Sequence, residues 1–363
     1  MLLLAASLKR AAIALRSKVN SILRPLKNQE RLLVQRRLKN FVNYFLGPLL
    51  FIVIGLSIYR QILQQDHLAE RWHTILNSFH DDGSWRLWLV ILFMLVNWGI
   101  ESLKWQVLLS HILKMPFILA FRSVVSGLAF TMITPNRMGE FIGRVFYVPE
   151  GNRIRAAALT LVGSVSQTII TLFSGAIGLW VLRNYLQLHT TELHGLSVFW
   201  INGLLAGTVF IFFLMLFFYF RIGWLLKLVD KIPPFSKYAY YIKPLEEVGS
   251  AELVKILLLS ALRFSVFVFQ YWLLLNLFDV QMQLWQALSS VAVLFLVLAV
   301  VPTIALAELG IRTKASIALF SIFSSNPIGI LVTTATIWLI NIIFPAIAGS
   351  LFVLSVKIFR KDQ

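Results

Sequence analysis

The chain has 363 residues, of which 58% are hydrophobic, and its mean hydropathy is +0.79. Soluble domains are about 45–50% apolar, so this composition excludes an ordinary soluble domain and predicts an integral membrane protein. The formal net charge is +17, and the basic residues lie mostly before and between the apolar runs. That distribution favours the positive-inside rule, attraction to anionic lipid, or both, over nucleic-acid binding. The chain contains no cysteine, which excludes disulfides, cysteine-based zinc sites and thiol catalysis.

Residues 1–40 form a basic segment with ten Lys or Arg residues and one acid, Glu30. The apolar run at the start of the chain precedes these charges, whereas a secretory signal has its basic residues first, so we expect no cleaved signal. We expect the segment to be cytoplasmic and to lie near the membrane surface. Two transmembrane repeats are predicted after it, at 41–182 and 183–356, followed by a basic cytoplasmic tail at 357–363.

Six segments are apolar over the roughly 20 residues that a helix needs to cross the hydrocarbon core. They are approximately 42–63, 87–109, 156–182, 197–220, 254–278 and 328–356. Two further stretches, 119–148 and 285–323, are interrupted by Thr134-Pro135-Asn136 and by Val301-Pro302-Thr303. Proline in a helix interior removes a backbone hydrogen bond, so we expect a break at each of these positions.

The charges of the connecting segments orient the spans. The loop 64–86 is rich in acids and is expected outside, whereas 221–252 and the tail are basic and are expected inside. Six crossings then place both termini in the cytoplasm, and the two interrupted stretches must return to the side from which they entered. The predicted fold is an all-α integral membrane protein with about six transmembrane helices and two re-entrant, broken-helix hairpins.

The two breaks share a motif in which an arginine follows a glutamate by four residues. The first has Glu140 and Arg144, and the second has Glu308 and Arg312. The two glutamates are 168 residues apart along the chain, and so are the two arginines (308 − 140 and 312 − 144). The same offset maps span 87–109 onto 255–277. Because the loop charges place the two halves in opposite orientations, we predict an inverted-topology repeat, in which paired broken segments mark the binding site.

These motifs resemble those of a known family. They comprise Pro135, Gly139-Glu140 and Arg144 in the first half, Pro302 and Leu309-Gly310-Ile311-Arg312 in the second, and a helix ending in LKWQVLL at Leu109. The chain resembles the transmembrane flippase region of lysylphosphatidylglycerol synthase and the wider group of stand-alone flippase-like membrane proteins. The resemblance implies a protein of a prokaryotic cytoplasmic (inner) membrane that moves lipids or lipid-linked groups between leaflets.

The Glu–Arg pairs are the first candidates for a site. Residues at positions i and i+4 share a helix face, so each pair could neutralise itself and pin its hairpin. Alternatively, Arg144 and Arg312 bind a lipid phosphate through the planar guanidinium, while Glu140 and Glu308 orient them. Thr134 and Thr303 stand beside the breaks and could cap half-helices whose N-termini favour an anionic headgroup.

Three more charged residues lie within the spans. Glu101 and Lys104 could form a local pair at the interface, with the Lys104 amine reaching the cytoplasmic surface, or Lys104 could belong to the substrate site. Arg263 has no acid at helical spacing, so it needs a partner from another helix and has either a structural or a substrate-binding role.

The leading functional hypothesis is flippase-like translocation of a lipid or lipid-linked anionic headgroup. A membrane-embedded transferase acting on lipid-linked substrates and a non-transporting partner in envelope assembly stay open as alternatives. No catalytic motif occurs in the sequence, so we expect no enzyme activity. We expect no cofactor and no metal, because His67, His73 and His80 do not share one helix face. The expected partners are membrane lipids and not nucleic acid, and homo-oligomerisation is left open.

Overall fold

The computed structural model describes Leu56, Asn77, residues 83–132, Thr134, and residues 139–189, 198–224, 243–301 and 305–354. These residues form helices and no strand, so the predicted all-α class is confirmed for them. The following predictions lie outside the described residues: the basic segment 1–40, the tail 357–363, His67, His73, His80 and Thr303. The first predicted span, 42–63, is described only at Leu56, so the predicted number of six spans is not tested.

The first half of the described chain contains five helices. They are α1 (Ser84–Leu109), α2 (Phe117–Thr131), α3 (Gly139–Val145), α4 (Arg153–His189) and α5 (Val198–Phe220). The second half contains α6 (Ser250–Leu277), α7 (Leu284–Val300), α8 (Ala305–Phe320), α9 (Pro327–Trp338), a π-helical turn (Leu339–Ile343) and α10 (Phe344–Leu354). The five predicted spans that follow residue 63 therefore correspond to described helices, and each interrupted stretch contains two separate helices, α2 and α3 in the first and α7 and α8 in the second.

Four of the described helical segments are long and apolar enough to cross a membrane. They are Ser84–Leu109, Glu150–Leu188, Phe199–Phe220 and Pro327–Leu354. The last of these begins with a capped turn, in which the Asn326 side chain accepts a hydrogen bond from the Gly329 N–H at 2.9 Å and Pro327 takes the first helical position.

Each interrupted stretch forms two helices that pack on one another, α2 against α3 and α7 against α8. In the first, the backbones approach closely at two glycines, because a Cβ atom built on Gly143 would overlap the backbone of Gly127. The Thr134 hydroxyl lies between the two helices, donating to the Phe130 carbonyl at 2.9 Å and accepting from the Gly139 N–H at 2.7 Å. Within the described residues, Thr134 therefore binds the N–H group of Gly139, the first residue of α3.

The helices of the two halves correspond in spacing. Helices α1 and α2 begin 166 and 167 residues before α6 and α7 (250 − 84 and 284 − 117). Their packing corresponds as well: α2 packs against α10 of the second half, and α7 packs against α4 of the first. Both contacts are close at a glycine, since an added Cβ on Gly349 would overlap the Val125 carbonyl oxygen and one on Gly178 would lie 2.7 Å from that of Ser289.

The two breaks and the π-helical turn lie around one apolar cluster. Met132 follows the end of α2, Leu309 lies in the first turns of α8, and both belong to this cluster together with Trp338 and Ile342. In the turn, the Asn341 amide donates to the Ile337 carbonyl at 3.2 Å. Irregular backbone within a membrane is tolerated where protein buries it or where it lines a wet cavity, and π-helical turns are frequent at functional sites.

Candidate functional site

Glu101 lies at the centre of the candidate site, and only 3% of its surface is exposed. Its contacts come from helices α1, α3 and α6. Its carboxylate lies 2.8 Å from each of three cationic groups: Lys104 Nζ on α1, Arg144 Nη2 on α3 and Arg263 Nη1 on α6. One carboxylate thus joins the short half-helix of the first hairpin to two long helices from different halves of the chain.

Lys104 is 1% exposed, so the interpretation of Glu101 and Lys104 as an interfacial anchor is wrong. Helices α4 and α6 cover this face of α1 and supply further oxygens to the amine. Lys104 Nζ donates to the Gly163 carbonyl and to the Ser260 hydroxyl, each at 3.3 Å. All three N–H bonds of the ammonium group therefore have an acceptor inside the protein.

Arg263 finds its partners on another helix, as predicted. Its Nη1 binds Glu101, and its Nε donates to Asn97 Oδ1 at 2.8 Å, also on α1. The guanidinium lies over the Trp98 ring, with its central carbon 4.8 Å from the ring centroid. The planar cation is thereby held between a polar edge and an aromatic face.

Arg144 is 2% exposed and binds two acids through the same nitrogen. Nη2 donates to Glu101 and to Glu140, which confirms the predicted pairing at i and i+4 within α3. The guanidinium also lies over the Trp105 ring, at 5.6 Å. Among the described residues its buried Nε finds no hydrogen-bond partner, so this donor suits an acceptor such as water or an oxyanion.

The second Glu–Arg pair is also formed and buried. Arg312 Nη2 donates to Glu308 at 2.8 Å, and Nη1 donates to the Tyr271 hydroxyl of α6 at 3.1 Å. The Arg312 Nε lacks a partner, as does the fully buried hydroxyl of Ser316 one turn further along α8. The second arginine therefore resembles the first in having a free Nε, but its partner across helices is a neutral phenol.

The two clusters occupy different levels of α6. Arg263 belongs to the first and Tyr271 to the second, and their separation of eight positions (271 − 263) corresponds to about 12 Å along a helix axis. Among the described contacts, none joins Arg144 directly to Arg312. The clusters are therefore two sites connected by one helix, and a single shared cavity between the arginines stays a prediction.

Residues 44–349 match the family model described as the lysylphosphatidylglycerol synthase TM region. The chain belongs to this family. A comparison with curated proteins gives no match. The matched range contains both ionic clusters, and together with the apolar helices it makes the chain a multi-pass membrane protein of a lipid-related family.

The formal charges of the first cluster of this family member sum to a positive value. Lys104, Arg144 and Arg263 contribute three positive charges, and Glu101 and Glu140 two negative ones, which leaves +1 among these contacting side chains. The pair in the second cluster sums to zero. Surplus charge is costly inside a membrane, so this formal sum makes the first cluster a candidate site for an anion.

The central role of Glu101 and the contributions of Asn97 and Tyr271 were not predicted from the sequence. Glu101 is the only acid in α1, and an acid within an apolar span is by itself a signal of a functional or paired position. Glu101 lies late in the span and three residues before Lys104, so the two residues were interpreted as an ion pair at the membrane surface.

Proposed function

We propose that this protein translocates a lipid, or a lipid-linked group, with an anionic headgroup between the leaflets of a prokaryotic inner membrane, in the manner of a flippase. The observation that carries the proposal is the buried cluster around Glu101, whose formal charges sum to +1 and which includes Arg144 from the half-helix of a broken hairpin. Two arginines of the broken hairpins, Arg144 and Arg312, also keep a buried Nε donor without a partner. Such donors suit the oxygens of a phosphate group.

The architecture supports the same proposal. The corresponding helix starts and the exchange of packing partners between halves are expected of an inverted-topology repeat. In this arrangement the chain crosses the membrane six times, the two broken stretches are re-entrant hairpins, and both termini are cytoplasmic. Substrate sites of such transporters lie where the broken helices of the two repeats meet, which is where Met132 and Leu309 share a cluster.

In the proposed mechanism, the headgroup passes along the polar side chains of the hairpins while the acyl tails stay in lipid. Arg144 and Arg312 bind its phosphate in turn, at the two levels of α6. Lys104 and Arg263 hold the charge of the first site, and Thr134 fixes the start of the half-helix that carries Arg144. Each hairpin closes one face of the membrane while the other is open.

The two alternatives make different demands. A membrane-embedded transferase needs an acid or base that is not occupied by a cation, and Glu101, Glu140 and Glu308 each bind at least one basic side chain. A non-transporting assembly partner needs hairpins that stay closed. No contact among the described residues favours the transferase or the assembly partner. A translocation assay distinguishes both from a flippase.

The test is lipid translocation in proteoliposomes, with fluorescent lipids of different headgroups in the outer leaflet and a membrane-impermeant quencher. Arg144→Lys and Arg312→Lys keep the charge but lose the planar fork. Each lost charge-assisted hydrogen bond is worth about 1.5–3 kcal/mol, so the rate should fall about tenfold or more at equal protein content. Arg221→Lys, at an exposed position beyond α5, is the matched control. Wild-type rates in both site variants would contradict the proposal.

A further inference from the structure

The three cations around Glu101 form a cradle for one oxyanion. Lys104, Arg144 and Arg263 converge on its carboxylate from three helices, each at 2.8 Å. A carboxylate and a phosphate offer similar pairs of oxygens to guanidinium and ammonium donors. The Glu101 carboxylate thus occupies the position at Arg144 that a headgroup phosphate would take.

We infer that Glu101 is an internal competitor for the headgroup, and that it releases Arg144 when a lipid phosphodiester enters the cradle. The inference rests on the proposed function and deepens it, because it assigns the ligand class and the exchange that accompanies binding. Glu101 is a positioning residue in this scheme, since it acts through the arginine that it holds.

Arg144 is the cation that changes partner, because it is the only one of the three on a hairpin. It lies on α3, which has seven residues, whereas Lys104 and Arg263 lie on helices of 26 and 28 residues. After release, Arg144 keeps Glu140 on its own helix and gains the phosphate. Glu101 keeps Lys104 and Arg263, so no charge loses its last partner during the exchange.

The charge of the cluster selects the ligand. A phosphodiester with an uncharged headgroup alcohol carries one negative charge and brings the sum of +1 to zero. A phosphomonoester approaches two negative charges and leaves the site negative, and a zwitterionic headgroup leaves it positive. In a buried site such residual charge is much more costly than in water, so the monoanion is favoured over both.

The binding test uses the purified full chain in nanodiscs and measures thermal unfolding against the mole fraction of added lipid. The probes are phosphatidylglycerol as the monoanion, phosphatidylcholine as the zwitterion and phosphatidic acid as the phosphomonoester. Glu101→Gln removes the competing charge, and the apparent affinity for phosphatidylglycerol should rise about tenfold or more. Glu252→Gln removes the same charge from the partly exposed His111 contact and should leave the affinity at the wild-type value.

A second variant covers the case in which Glu101→Gln does not fold. Glu101→Asp keeps the charge on a shorter side chain, which weakens its contact with Arg144, so its affinity should lie between those of wild type and Glu101→Gln. Equal affinities for phosphatidylglycerol in wild type and in the folded Glu101 variants would overturn the inference. Equal preference for phosphatidylcholine would overturn the assignment of a monoanion.

Two further arms separate the possible failures. Glycerophosphoglycerol, the same headgroup without acyl tails, should compete only weakly, and competition equal to that of the lipid would identify a soluble phosphodiester as the ligand instead. Translocation is measured separately on the same variants. Wild-type protein that moves lipid, together with unchanged affinity in Glu101→Gln, refutes the inference alone. Tighter binding in Glu101→Gln, with no lipid moved by wild type, refutes the proposed function alone.

Discussion

Lys104→Met is the substitution that best separates a structural role of the first cluster from a binding role. Methionine has a similar length and no charge, so it fills the same space in the interior while the cluster falls from +1 to zero. Each of the three acceptors of Lys104 keeps another hydrogen-bond partner. Glu101 still binds Arg263, and Ser166 still donates to the Gly163 carbonyl at 2.7 Å and bonds Ser260 at 2.8 Å.

The expected change in stability is therefore small. Removing one partner of a buried pair costs about 3–5 kcal/mol when the other charge is left without compensation. Here the remaining carboxylate has two arginines, and the substitution also removes the cost of burying an ammonium group. We expect the free energy of unfolding to change by no more than about 1 kcal/mol. Glu101→Met, which deprives Lys104 of its ion pair, should cost about 3–5 kcal/mol.

The assay pairs denaturant unfolding in mixed micelles with translocation in proteoliposomes. Lys104→Met should unfold near the wild-type midpoint yet move a monoanionic lipid about tenfold more slowly or worse, because one cation of the cradle is lost. Glu101→Met is the destabilised reference. If Lys104→Met unfolds as early as Glu101→Met, or transports at the wild-type rate, the assignment of the surplus charge to an anion is refuted.

Three other predictions follow from the packing and the topology. Exchanging Glu308 and Arg312 should leave the fold intact, since the Tyr271 hydroxyl can donate to a carboxylate as readily as it accepts from an arginine, but it should abolish translocation; retained activity would make the second pair a scaffold. Gly349→Ala should destabilise by about 1–3 kcal/mol in unfolding assays, because its Cβ would overlap the Val125 carbonyl, whereas Gly207→Ala, with open space around it, should be neutral or stabilising; equal effects would contradict the close packing. Reporter fusions at both termini should give cytoplasmic signals, and a periplasmic signal at either end would invalidate the six-span topology.

The helices of this chain could be predicted closely from sequence because apolar runs and proline breaks act locally. The predicted span 254–278 corresponds to α6, and the breaks near Pro135 and Pro302 separate α2 from α3 and α7 from α8. The π-helical turn at Leu339–Ile343 had no such signal, since apart from Asn341 its residues are as apolar as their neighbours and it contains no proline. Its position depends on packing against residues from distant parts of the chain.

The candidate site was predictable only where its contacts lie within one helix. Both Glu–Arg pairs follow from i and i+4 spacing, but the bond between Glu101 and Arg144 depends on how α3 packs against α1. That contact also changes how a charge exchange must be designed. Exchanging Glu140 and Arg144 would place a carboxylate against Glu101, so it would disturb the fold whatever the role of the pair. The second pair is therefore the informative one to exchange.

The neutrality of the Glu140–Arg144 pair has a consequence for energy coupling. A group of unit charge that crosses a membrane potential of 100 mV does electrical work of about 2.3 kcal/mol. Because Arg144 carries its own counterion on the same half-helix, a displacement of α3 moves no net charge through the field. The other two cations of the cluster, Lys104 and Arg263, lie on the long helices α1 and α6 and do not move with α3. Any voltage dependence of translocation would then report the charge of the cargo and not that of the hairpin.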